Sequence, residues 1–273
     1  MISAGLGLSV ALAGCALFRP PPTPGGDGPS PEALTEEAER LAEEGQTERA
    51  LLLLRDALEI DPSFTAGFMQ LGEISREVGN LNAAERAFGR AVQLEPDSFF
   101  AQLAHADVLA ALGRTVNAVR AYLRAVTIEP DAPDARAGLA SAYLELDEPE
   151  QALPHARRAV ELYNAPVAAK PDSAATDQAQ APGTGAPAGT DPAERRRRAA
   201  QAHASYGVAL SLNDEHELAI EQYELAAELY DEPPTELFIN WANSLGVLER
   251  YTEMENTLRF VITGGSPSAL AHE

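Results

Sequence analysis

Three prolines, Pro62, Pro96 and Pro130, stand 34 residues apart, and each closes a similar phrase: ALEIDP, AVQLEP and AVTIEP. A fixed period of this length means a stack of one small unit, because a unit so short cannot bury an apolar face alone and must cover it with its neighbour. The unit reads as two helices. Before each proline a helical apolar pattern carries Ala50, Ala84 and Ala118, then Leu54, Phe88 and Tyr122, then Ala57, Ala91 and Ala125. Further back come the turns Gly45-Gln46, Gly79-Asn80 and Gly113-Arg114. They follow a first helix with a small residue at Ala38, Gly72 or Ala106 and, three on, Leu41, Ser75 or Leu109. Small residues let helix backbones approach, the larger residue between the alanines fills the groove so formed, glycine ends the first helix in a left-handed cap, and proline stops the second.

These marks resemble the tetratricopeptide repeat, W-x2-L-G-x2-Y…A-x3-F…P, and Phe68, Leu71, Gly72, Ala84, Phe88 and Pro96 follow it best. The resemblance implies an all-α fold, a right-handed superhelical solenoid of antiparallel helix pairs. A fourth copy follows in register from Pro133 through Leu139-Ala140, Tyr143, Ala152, Ala156 and Ala159, with Asn164 where the proline would stand. Pro154 falls inside its second helix and predicts a bend. Residues 165–191 are Ala, Pro, Gly, Thr, Asp and Gln with scarcely a larger apolar residue, the composition of a disordered insert that either bulges from a continuous stack or separates two blocks. The pattern resumes with Tyr206-Gly207, Leu210, Ala219, Tyr223 and Ala226, and once more with Trp241-Ala242, Leu245, Met254, Leu258 and Val261. Four repeats are expected over 31–164 and two over 192–268, with 269–273 a tail.

The N-terminus predicts a different destination from that of a free cytosolic adaptor, although the adaptor remains an alternative. Ile2 to Ala13 are almost all apolar or small, a stretch too short for the ~20 residues of a membrane-spanning helix and right for a signal-peptide core. It ends in Leu12-Ala13-Gly14-Cys15, which resembles the lipobox of bacterial lipoproteins, although Met1-Ile2-Ser3 carries no basic residue. The resemblance implies a signal peptide over 1–14 and a lipidated Cys15, and Ala16 in place of aspartate leans toward the outer membrane, facing the periplasm. Two or more acyl chains make such an anchor durable. Residues 15–30 then form a tether whose Pro- and Gly-rich part reaches about 40 Å at ~3 Å per residue.

A formal charge of −22 excludes nucleic acid as the main partner, since the phosphate contribution to affinity would be repulsive. With Cys15 the single cysteine, a thiolate metal site is excluded as well. No phosphate loop, GxSxG elbow, HExxH helix or CxxC pair occurs, and the five histidines show no i, i+4 pairing. The expectation is a scaffold without catalytic residues, cofactor, metal or small-molecule substrate.

Such a stack offers a concave surface lined by its first helices. At the positions left over from packing stand Met69, Glu73 and Arg76, then Phe100, Leu103 and Asp107, then Ala137, Ser141 and Leu144, and finally Ile239 and Asn243. Apolar residues mixed with acids suit a partner segment bearing aliphatic and basic side chains, unless Met69, Phe100 and Leu103 pack between neighbouring helices. A clamp for a terminal carboxylate is excluded, because the positions that would form it hold Thr35, Met69, Leu103 and Ala137, and only Asn243 would serve. Arg195-Arg196-Arg197-Arg198 follow the helix start Asp191-Pro192. Cations there are unfavourable, and the 13 acids against two arginines between Ala199 and Glu273 offer an intramolecular partner. Six-repeat lipoproteins of this kind also look like the pilotins of secretin rings, a narrower alternative.

Overall fold

The structure, a computed structural model, describes residues 28–165 and 191–263. Its helices are α1 Pro31–Glu43, α2 Thr47–Ile60, α3 Thr65–Glu77, α4 Leu81–Leu94, α5 Phe99–Ala111, α6 Thr115–Ile128, α7 Pro133–Glu145, α8 Pro149–Asn164, α9 Pro192–Leu212, α10 His216–Leu229, α11 Thr235–Val247 and α12 Tyr251–Thr263. Among the described residues there is no strand.

The helices form six hairpins in chain order, each first helix packing on the second of its own pair and each second helix on the first of the next. First helices also touch from pair to pair, α1 with α3, α5 with α7, α7 with α9 and α9 with α11, and second helices make no comparable approach among the described residues. A double layer whose one side is more closely spaced curves toward that side. The first helices therefore line the concave face of a helical solenoid.

Local chemistry sets the helix limits. Ser30, Asn80, Ser98 and Asp191 accept the early backbone N–H groups of α1, α4, α5 and α9 on their side chains. The first helices end in Schellman turns: the N–H of Gln46 reaches the carbonyl of Leu41 at 2.7 Å and that of Gly45 the carbonyl of Ala42 at 2.9 Å, with Gly45 at φ 76°. The second helices α2, α4 and α6 stop at Asp61, Glu95 and Glu129, each forced toward extended backbone by the proline that follows. α8 runs through Pro154 as one helix, and the proline sits in its second turn.

The core is a chain of small clusters, one per junction. Phe88 lies against Gly72, where an added Cβ would stand 2.5 Å from the ring, and Tyr223 lies in the same way against Gly207 at 2.5 Å. Close approach here requires glycine. Between the fourth and fifth pairs, Val160 and Tyr163 of α8 pack with Ala199 and Ala202 of α9. α9 also meets α7, so the last two pairs continue the stack of the first four. The question the sequence left open is answered by a continuous solenoid.

Candidate binding groove

The concave face is built from what the first helices do not bury. Met69 and Leu103 keep only 8% of their surface each, because α1, α3, α5 and α7 lie close enough that a side chain at this register meets the next pair. Phe100 is half-buried and packs against the clusters on both sides of α5. The expectation that Met69 and Leu103 present themselves to a partner is thus corrected: they hold neighbouring pairs together. Ile239 at the same register is 43% exposed, since no pair follows it among the described residues. Ala137 and Leu144 are half-buried, and Asn243 is exposed.

The remaining stripe is polar. Arg76 on α3 donates to Glu73 of the same helix at 2.6 Å. Asp107 on α5 accepts from the hydroxyl of Tyr122 on α6 at 2.7 Å. Asp134, at the start of α7, accepts from the hydroxyl of Tyr163 on α8 and pairs with Arg198 of α9 at 2.8 Å. Arg198 also reaches Glu194 at 2.8 Å, and Ser141 meets Ser205 across α7 and α9 at 3.4 Å. Glu73 and Arg76, Asp107, and Ser141 thus form a belt of separate polar pairings on successive first helices, with Asn243 further along.

Asp107 has the least ordinary environment of the belt. By surface area it is exposed, yet α6 and α7 pack against its helix and the charges of Arg76 on α3 and Arg198 on α9 reach it, which is the condition of a side chain on the floor of a concave face. Loss of bulk water there raises its carboxyl to about 6, helped by the nearby Asp134 and opposed by Tyr122, Arg76 and Arg198. The hydroxyls of Tyr122 and Tyr163 are pushed up in turn, first by burial and then by their carboxylate partners. Glu194 is held down at about 2 by its bonds to Arg197 and then Arg198.

Every member of the arginine run has an intramolecular partner. Arg195 donates to the carbonyls of Tyr163 at 2.9 Å and Ala165 at 3.2 Å, at the negative end of α8. Arg196 does the same at the end of α10, reaching the carbonyl of Glu228 at 2.9 Å and the carboxylate of Asp231 at 3.2 Å. Arg197 binds Glu194 at 2.9 Å. The C-terminal acids supply only Asp231 and a backbone oxygen; the other partners lie on α7, on α8 and in the first turn of α9 itself.

The four described histidines stand apart as structural groups: His105 is 4.0 Å from Glu85, His155 stacks on Tyr143, His203 bonds Gln222 at 2.9 Å, and His216 lies 3.3 Å from Ser244, while His272 lies outside the described residues. Among the described residues no group of three His, Cys, Asp or Glu could hold a metal, and no helix is long and apolar enough to cross a membrane. Cys15 lies outside the described residues, as do most of the tether, most of the insert and the tail. Asp134, Tyr122, Tyr163 and Arg198 complete the belt but were not picked out from the sequence as binding residues. The signal was a hydroxyl on Tyr122, a ring that fills the inter-helix groove, and another on Tyr163 near the end of α8.

A family model for the tetratricopeptide repeat matches residues 30–164. That segment belongs to the tetratricopeptide repeat family. No curated protein sequence matches the chain. Among solved structures, a tetratricopeptide repeat protein from Parabacteroides merdae is similar over 86% of this chain and 80% of its own, with 18% identity and a TM-score of 0.62. The pilF protein of Pseudomonas aeruginosa is similar over 87% and 94%, with 17% identity and a TM-score of 0.59. YrrB, described as a TPR protein with an unusual peptide-binding site, is similar over 80% and 91%, with 18% identity and a TM-score of 0.55. At these identities the likeness is one of fold, and it extends the tetratricopeptide architecture beyond residue 164 to the last two pairs.

Proposed function

We propose that this chain is a non-catalytic interaction scaffold whose concave groove takes a segment of another protein, and that it works at the surface of a bacterial membrane. The observation that carries the first half is the inner face: a belt of open polar side chains running over successive first helices, on a stack that offers no catalytic constellation among its described residues. A rigid stack whose side chains are already placed spends little ordering free energy on binding, which suits capture of a flexible partner segment. Burial of Met69 and Leu103 shifts the expected partner from aliphatic toward polar and basic character in the first three pairs.

The second half rests on Leu12-Ala13-Gly14-Cys15 and the tether that follows. Lipidation at Cys15 would hold the solenoid to the membrane, with the outer membrane facing the periplasm as the expected address. Cys15→Ser is expected to move the protein from the membrane to the soluble fraction and to abolish acyl labelling; unchanged fractionation and labelling would remove the anchor. Support for assembly of an envelope complex is the role this combination suits. A pilotin-like factor for a secretin is the narrower form of it, resting on repeat number, chain length and the lipobox-like end, and co-purification from detergent without any secretin subunit would discard that form alone.

A further inference from the structure

Charge is balanced at both ends of the central groove and not in its middle. Glu73 on α3 has Arg76 at 2.6 Å, and Asp134 on α7 has Arg198 at 2.8 Å. Asp107, on the helix between them, has no cation within ion-pair reach among the described residues; its hydrogen bond is to the neutral hydroxyl of Tyr122. A phenol bond orients a carboxylate and leaves its charge in place. The helical register sets Ala104 and Ala110 beside Asp107 on the same face of α5, and Ser141 occupies the equivalent place on α7, so small side chains leave the carboxylate accessible.

The neighbouring pairs give the site a direction. The residue that follows the small packing residue of each first helix is Glu39, Glu73, Asp107, Ser141, Val208 and Asn243 in turn. It is acidic in the first three pairs and uncharged in the last three. Of the three acids, Glu73 is paired in place and Glu39 is exposed on the first helix of the stack, which leaves Asp107 as the one between neighbouring pairs that has no direct ion pair among the described residues, with Arg76 and Arg198 acting on it only from a distance.

We propose that Asp107 anchors a cation subsite in the groove, taking the ammonium or guanidinium of a lysine or arginine on a partner segment that crosses α5. Tyr122 holds the carboxylate in position from behind, and the residues of the segment that lie over α7, α9 and α11 are uncharged. The inference rests on the groove being the partner-binding face. A charge-assisted hydrogen bond in such a setting contributes on the order of tenfold to a hundredfold in affinity.

A phage-displayed random peptide library selected on the full chain, and separately on Asp107→Asn, tests this. The amide oxygen of asparagine can still accept from Tyr122, so the variant is expected to keep its fold, checked by its thermal melt. Peptides recovered on the natural protein are expected to share one basic residue at an aligned position. A synthetic member should lose about tenfold or more in Kd on Asp107→Asn. Replacing its basic residue by glutamine should cost as much on the natural protein and nothing further on the variant. Peptides that bind without a shared basic residue, or equally well to Asp107→Asn, overturn the subsite and leave the groove standing. A natural protein that selects no peptide at all overturns both.

Discussion

The inner turn of the first three pairs closes on Gly45, Gly79 and Gly113 at φ 76°, 75° and 69°, whereas the last three close on Asp147, Asp214 and Glu249 at φ 59°, 62° and 60°. The hydrogen bonds are the same: Asn80 N–H to the Ser75 carbonyl at 2.8 Å in the second pair, Glu215 N–H to the Leu210 carbonyl at 2.9 Å in the fifth. A left-handed backbone costs a residue with a Cβ ~1–2 kcal/mol and glycine almost nothing. The later turns adopt this geometry against their own preference, so it is imposed by stacking of whole pairs. The N-terminal array is specified locally and again globally, the C-terminal array chiefly globally.

That contrast breaks first at the rings. Phe88→Ala removes a fully buried ring from the N-terminal array and is expected to lower stability by about 3–5 kcal/mol; Tyr223→Ala should do the same in the C-terminal array. Chemical denaturation followed by circular dichroism should show one transition displaced by either variant, because α8 and α9 join the arrays through buried contacts. If Tyr223→Ala splits off a separate early transition, the joint is weaker than the junctions on either side of it.

The turns give the next effect. Gly79→Ala is expected to destabilise by ~1–2 kcal/mol, while Asp214→Gly should stabilise by less than about 1 kcal/mol, since the relief is partly offset by the freer unfolded chain. Equal and opposite shifts would mean that stacking does not impose the later turns. At the joint itself, Arg198→Ala removes the bonds to Asp134 and Glu194, both of them wetted, and is expected to cost below about 1 kcal/mol, declining further with added salt.

Most of the first array was legible in the sequence, because its marks are local: glycine after a helix, proline after a helix, small residues spaced about a ring. The groove was only partly legible. Periodicity tells which face Met69 and Leu103 occupy, but their burial depends on how near the next first helix comes, a distance set by side chains a whole pair away. The arginine run shows the same limit. Acids between Ala199 and Glu273 were the nearest partners in sequence, yet the contacts go largely to Asp134, Glu194 and the carbonyl ends of α8 and α10, which the stack alone brings close.

The smallest expected effect is the one that best separates groove from joint, and it is a matter of sign. His203 is buried at the joint with Gln222 at 2.9 Å and Asn164 at 3.4 Å, and burial lowers its pKa. The folded chain binds this proton less readily than the unfolded one, so the stability due to neutral His203 is whole above the unfolded value of ~6.5 and falls as pH drops below it. Asp107 runs the other way. Its folded pKa is raised to about 6, chiefly by desolvation, so the stability it contributes is present when it is protonated, below its unfolded value of ~3.9, and is lost as pH rises through about 6. Acidification from pH 7 to pH 5 therefore loosens the joint and relieves the groove. His203→Gln should flatten the loss and Asp107→Asn should steepen it, read as the shift of the urea midpoint between the two pH values. Parallel midpoints for the natural chain and Asp107→Asn would mean that solvent reaches the carboxylate fully, and the enclosed floor inferred for the middle of the groove would be gone.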